Sequence, residues 1–203
     1  MTDKGSLIVL SGPSGTGKGT ILSKFKEKFF DEKVVYSISD TTRAPRPGEI
    51  PDVSYHYITN SEFNEKKESS GYLEYAEFCD NQYGTPKKFA MDNINSGIDV
   101  ILEIETVGAR KVKASYPDAV MVFVLPPSLE ELERRLVGRG TETPEAIQKR
   151  FNAAKEELKL AIQYDYVIVN DNIDAAVEKF NSIIKAERLK TKNNKKTILE
   201  VCE

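Results

Sequence analysis

Lys18 closes the run Gly12-Pro13-Ser14-Gly15-Thr16-Gly17-Lys18, in which three glycines and one ammonium have a spacing suited to holding phosphate. Glycine tolerates positive φ and leaves room for an anion to touch the backbone. Successive N–H groups in such a turn point inward, with the positive end of the following helix behind them. The motif G-x-x-x-x-G-K fits from Gly12 to Lys18, and Lys18 adds a mobile cation for the outer phosphates. The next position departs from the motif. A Ser or Thr hydroxyl there would ligate Mg²⁺, and the residue is Gly19. Thr20 is turned by about 100° on the helix, so it does not take over that role. A Mg²⁺ ion would rest mainly on phosphate oxygens and water, an arrangement this ion accepts because it dehydrates reluctantly.

A second anion site is implied by Arg43 and Arg46, three apart in the Pro-rich stretch from Ser39 to Glu49. Guanidinium forks match phosphate oxygens, and two of them can hold a dianion, with the hydroxyls of Tyr55 and Tyr83 completing the shell. Glu103 and Glu105 end an apolar strand, where a parallel sheet places its ligands. Arg135 and Arg139 lie four apart on one helix face, and Arg150 follows on the next helix beyond Gly138-Arg139-Gly140. Glu130, Glu131 and Glu133 nearby allow a plainer reading of that helix as a salt-bridged surface. His56, the only histidine, reads as structural.

These residues need elements to carry them. Apolar runs at 7–10, 34–38, 100–102, 120–125 and 167–169 predict strands, and helical spacing follows most of them. Ile21, Leu22, Phe25, Phe29 and Phe30 mark the first helix. Asn60 is the expected cap of a helix to about residue 70, and Thr85-Pro86 the opening of another. Ser128 and Glu131 predict a capping box. Thr143-Pro144 predicts a helix with Ile147, Phe151, Ala154, Leu158 and Ile162 on one face. A last helix runs through Phe180, Ile184 and Leu189. Near-continuous apolar strands alternating with helices predict an α/β fold, a parallel sheet covered on both faces. Shorter, more polar strands between residues 36 and 84 predict a mixed or antiparallel flap outside that sheet. The end of the chain from Lys190, rich in Lys and Asn, reads as a mobile tail.

Composition sets the outer bounds. With 203 residues, 39% hydrophobic and 30% charged, the chain is long enough for one domain with a substantial core. A net charge of −3 gives no global pull toward nucleic acid or membrane, so any anion site must be built locally. Two cysteines, Cys79 and Cys202, are too few for a disulfide framework. With no signal peptide and no membrane-length apolar run, the expected location is the cytoplasm.

The succession of the glycine loop, Ser39-x-Thr41-Thr42-Arg43-x-x-Arg46, Gly71-Tyr72-Leu73-Glu74, Tyr83-Gly84-Thr85, Leu102-Glu103-Ile104-Glu105 and Val169-Asn170-Asp171 resembles the guanylate kinase family over about residues 6–190. The resemblance implies a phosphate-loop core (1–36, 96–127 and 164–190), a GMP-binding region (37–95), a helical lid (128–163) and a tail (191–203). It implies transfer of the γ-phosphoryl group of ATP to GMP with Mg²⁺. Gly12 to Thr20 would hold ATP, with Asn170 and Asp171 on the adenine side. Arg43, Arg46, Tyr55 and Tyr83 would hold the GMP phosphate, while Ser39, Glu74, Thr85 and Glu105 read the guanine. Arg135, Arg139 and Arg150 would reach the ATP phosphates from the lid, and Glu103 would stand near Mg²⁺ through water. Partners beyond the two nucleotides are not implied, and monomer and homodimer stay open.

Two rivals remain at this level. A kinase for another nucleoside monophosphate is disfavoured by Glu74 and Ser39. A catalytically inactive module that binds protein partners is disfavoured by the intact Lys18.

Overall fold

The computed structural model describes residues 3–29, 31–78, 80–138 and 144–203. In chain order the first elements are β1 (Leu7–Ser11), α1 (Lys18–Lys28), β2 (Val34–Tyr36), β3 (Asp40–Thr41), β4 (His56–Tyr57) and α2 (Asn60–Glu68). There follow β5 (Tyr72–Phe78), β6 (Asn81–Pro86), α3 (Lys87–Asn95), β7 (Asp99–Glu103), α4 (Thr106–Ser115) and β8 (Val120–Leu125). The chain continues through α5 (Leu129–Val137), α6 (Pro144–Leu158), β9 (Tyr166–Val169), α7 (Ile173–Arg188) and α8 (Lys195–Cys202).

A five-stranded parallel sheet in the order β2-β7-β1-β8-β9 forms the core. Side chains alternate across it, as strand geometry requires. Ile8 and Leu10 of β1 join Ile21, Leu22 and Phe25 of α1 and Phe180 and Ile184 of α7 on one face. Leu7 and Val9 join Ala90 and Ile94 of α3 and Ala109 and Val112 of α4 on the other. Both faces are therefore covered, which explains the unbroken apolar runs of β1, β7 and β8. Phe25 and Phe180 meet edge to face at 5.1 Å, and truncating either to Ala would cost about 4 kcal/mol.

A four-stranded sheet in the order β4-β3-β6-β5 forms the flap; β3 pairs parallel with β4, and the other two pairings are antiparallel. Only β3 and β4 are as short as the sequence predicts, at two residues each, while β5 and β6 run to seven and six. Much of the support is polar. Asp40, fully buried, accepts from Lys66 Nζ at 2.7 Å and from the Tyr72 hydroxyl at 2.8 Å. Phe63 of α2 stacks on Tyr72. Helices α5 and α6 have a small core of their own, built from Leu132, Leu136, Phe151 and Ala154.

The structure corrects several local expectations. Thr59, rather than Asn60, caps α2, exchanging hydrogen bonds with Glu62 in a full capping box. Thr85 caps nothing: β6 runs on to Pro86, because the Thr85 hydroxyl is taken by Glu74. Ser128 does cap α5 by accepting from the Glu131 N–H, but the Glu131 carboxylate turns to Arg134 and Arg135 instead of completing the box. Ile162 is 91% exposed, since α6 gives way at Leu158 to a 3-10 turn that rotates it off the apolar face. Leu189 lies past the end of α7 and is exposed. β9 is an edge strand with only Ile168 buried. The tail is ordered into a 3-10 turn and α8, which is tied back to Asp3 through the Lys196 N–H and the Thr197 hydroxyl.

Candidate active site

The glycine loop follows the C-terminal end of the central strand β1 and leads into α1, with Gly17 at the helix N-cap in the left-handed region (φ 92°). A side chain there would be strained by that φ and would displace Asn170, whose Nδ2 lies 2.3 Å from where a β-carbon of Gly17 would stand. Thr16 is buried and donates to the Pro13 carbonyl, closing the turn. Lys18 Nζ donates to the carbonyls of Gly12 at 2.6 Å and Pro13 at 3.1 Å, so its ammonium lies across the loop mouth. Asn170, at the end of β9, donates to Thr16 O at 2.8 Å and ties the far edge of the sheet to the loop. Asp171 turns instead to the N–H of Asn172. Thr20 is exposed on α1 and, like Gly19, lines the cavity between loop and flap.

Two lid arginines converge on this loop. Arg135 donates to Asn170 O at 3.0 Å and, more weakly, to Thr16 O at 3.4 Å, while Glu131 holds its Nε at 2.7 Å. Arg150 donates to the Ser14 hydroxyl. Leu132 and Leu136 pack over Gly15, where a β-carbon would come within 3.1 Å of both. Arg139 lies outside the described residues. The Glu131 carboxyl is held down at about 2 by Arg134 and Arg135. Its role in orienting Arg135 was not among the sequence expectations, although the i, i+4 spacing carries the signal.

On the flap, Arg43 Nη2 donates to both Glu49 carboxylate oxygens, at 2.8 and 3.0 Å, while Nη1 donates to Ala44 O. The guanidinium stands 5.5 Å from the Tyr55 ring, and Glu49 foremost, with Tyr83 beside it, raises its pKa further. Tyr57 donates to Glu49 at 2.8 Å. The Arg43 guanidinium, then the Arg46 backbone N–H, draw the Glu49 carboxyl down to about 2. Arg46 itself is exposed. Glu49 and Tyr57 are parts of this cradle that the sequence reading did not assign. The Arg43 Nε–H is buried without a hydrogen-bond partner. Such a donor costs about 1–3 kcal/mol until an acceptor arrives, so the cradle favours an anion.

A cavity of about 540 Å³ joins the two sides. Ser14, Gly15, Gly17, Lys18 and Gly19 line it from the loop, Ser39 and Tyr55 from the flap, and Glu103 and Glu105 from the end of β7. The Ser37 hydroxyl, buried and unpartnered, belongs to its wall. Crowding by the cleft walls pushes the Glu103 carboxyl up, against the pull of Lys18 and Lys26. Glu74 and Thr85 do not line this cavity. They are buried against α4, with Thr85 Oγ1 donating to Glu74 Oε1 at 2.8 Å, and burial raises the Glu74 carboxyl. A second cavity, of about 660 Å³, lies at the opposite end of β1 beneath α8 and touches none of these residues.

The donor set fits a hard divalent ion only in part. Glu103 Oε1 is 3.5 Å from where a β-carbon of Gly19 would stand, so a carboxylate borders the position of the missing hydroxyl-bearing residue. Among the described residues no three carboxylate, imidazole or thiolate groups form a cage, so an ion here must take most of its oxygens from phosphate and water.

A glycine loop between the central strand and a helix, opening on a cavity that Tyr55 of the arginine-bearing flap also lines, fits a phosphate-loop nucleotide kinase. The comparisons narrow this further. The guanylate kinase family model matches residues 4–187. Guanylate kinases of Halalkalibacterium halodurans and Caldanaerobacter subterraneus are each 48% identical, over 93% and 98% of this chain and 91% and 96% of their own. The crystal structure of guanylate kinase from Anaplasma phagocytophilum matches with a TM-score of 0.75 and 32% identity, covering 95% of this chain and 91% of that one. The chain belongs to the guanylate kinase family.

Proposed function

We propose that the chain transfers the γ-phosphoryl group of ATP to GMP, giving ADP and GDP. The observation that carries this reading is one cavity lined by Lys18 of the glycine loop, by Tyr55 of the second anion cradle and by Ser39 of the guanine-reading set. Donor and acceptor phosphates held there face each other, and transfer then requires alignment and charge stabilisation more than covalent chemistry.

On the donor side, loop N–H groups and Lys18 hold the outer phosphates of ATP. Arg135 and Arg150, already resting on loop atoms, are placed to exchange those partners for phosphate oxygens as charge spreads over the transferring group. On the acceptor side, Arg43, Arg46, Tyr55 and Tyr83 hold the GMP phosphate. That phosphate is ionised already, so no side chain need act as a strong base. Ser39, Glu74, Thr85 and Glu105 read the guanine, whose N1–H and N2 amine lie side by side and can both donate to one carboxylate. Adenine lacks that pair, which would leave buried Glu74 without its bonds; such sites discriminate by roughly four orders of magnitude. Glu103 is the residue that would stand near a Mg²⁺ ion arriving with ATP, and such an ion would supply charge neutralisation to the phosphates. Asn170 and Asp171 border the adenine side. Among the described residues no helix is long and apolar enough to cross a membrane, and we place the reaction in the cytoplasm.

A coupled ADP-release assay with GMP, AMP, CMP and UMP tests the reading. Turnover confined to GMP is expected. Equal rates with AMP would reject the assignment of Glu74, and no ADP release with any of them would favour the inactive module.

A further inference from the structure

Glu74 owes its position to a helix that packs on the other sheet. β5 is an outer strand of the flap sheet, so its outward carbonyls have no neighbouring strand to donate to them. Helix α4 supplies the donors. Ser115 Oγ donates to Leu73 O at 2.8 Å, and Lys111 Nζ donates to Tyr75 O. These carbonyls flank Glu74 two residues apart, hence on one edge of the strand. A third contact involves the residue between them. A β-carbon on Gly108 would lie 3.0 Å from Glu74 Oε2 and 3.3 Å from its Cδ. Residues 108, 111 and 115 share one face of the helix, at i, i+3 and i+7. Two ammonium groups stand over the Tyr75 ring, Lys67 at 4.8 Å and Lys111 at 5.4 Å.

We propose that α4 sets the depth of the base-reading carboxylate: Gly108 leaves the space it occupies, while Lys111 and Ser115 pin the strand that carries it. The proposal rests on Glu74 being the reader of guanine. All three are positioning residues, and none needs to touch the nucleotide. Lys111 has a second effect. Burial raises the Glu74 carboxyl, and the opposing groups that face it are the Thr85 hydroxyl from β6 and the Lys111 ammonium from α4. Only an ionised carboxylate accepts from both guanine donors, so Lys111 widens the pH range over which the site is ready.

Gly108→Ala separates positioning from folding. Alanine in place of glycine inside a helix ordinarily stabilises it. The expected result is an unchanged or higher Tm, an unchanged KM for ATP, and a KM for GMP raised about tenfold by loss of a ground-state contact. Lys111→Met should move the acid limb of kcat/KM for GMP to higher pH, and Lys111→Arg should restore it. An unaltered KM for GMP in Gly108→Ala, or an unmoved acid limb in Lys111→Met, overturns the proposal. A fall in Tm with both KM values rising together does so as well, since that marks a merely structural helix. Failure of the unmodified protein to use GMP would instead reject the function from which the proposal starts.

Discussion

The glycine loop and the Arg43 cluster, the two proposed anion cradles, are joined by one cavity through Tyr55 but are built on different plans. The donor cradle is a run of consecutive residues whose partners are mostly main-chain atoms: Lys18 on Gly12 and Pro13, Thr16 on Pro13, Asn170 and Arg135 on Thr16. The acceptor cradle is assembled from side chains on separate segments, with Arg43 on Glu49, Tyr57 on Glu49, and Tyr55 edge-on to Tyr83. Beneath the first lies the apolar core; beneath the second, a polar knot around Asp40. A backbone cradle on an apolar base suits a group common to every nucleoside triphosphate. A side-chain cradle on a small sheet can move and can be tuned to one acceptor.

Substitutions can break this contrast in order of severity. Lys18→Ala should lower kcat about 10³-fold, because it deletes the main cation at the transferring group, while the far-ultraviolet circular dichroism stays that of the native fold. Wild-type turnover would show that the loop is not the donor site. Arg43→Ala should lower kcat/KM for GMP about 100-fold and leave KM for ATP near its starting value, the result expected of a guanidinium proposed to serve the acceptor alone. Steady-state kinetics with each substrate varied in turn will show whether the effects divide in that way.

Asp40→Ala tests the base of the flap. It strands a partly exposed Lys66 and a buried Tyr72 hydroxyl, and should cost about 3 kcal/mol, read by urea denaturation. Hydrogen exchange should quicken in β3, β5 and β6 before it does in β1 and α7. The smallest effect is on pH. The folded Glu49 carboxyl titrates near 2 against an ordinary value of 4.5. Its contribution to stability is therefore complete above pH 4.5 and is lost as pH falls toward 2. Denaturation curves across that interval should be less steep in pH for Glu49→Gln than for the unmodified chain.

Legibility in the sequence follows the same division. The loop from Gly12 to Lys18 and the strands β1, β7 and β8 could be read because each depends on neighbours in the chain or on an apolar period. The mixed sheet of the flap was readable in kind but not in pairing, since β3 and β4 are two residues each. Glu49 stands within the quoted stretch, yet its grip on Arg43 depends on how the Pro-rich turn folds back. Gly108 gave no signal at all, because its meaning lies in a strand more than thirty residues away. Thr59 and Asn60 are both good caps, and only the Glu62 side chain, three residues beyond Thr59, decides between them. The tail was misread because its fastening to Asp3 spans nearly the whole chain.

The resting place of Lys18 has one more consequence. An arriving phosphate must win the ammonium from two backbone oxygens, so entry is an exchange of partners. A weakly charged anion gains little by that trade, whereas a polyphosphate gains enough to complete it. The loop thus sorts its visitors by charge before shape is consulted, and stray anions in a crowded solution make poor squatters.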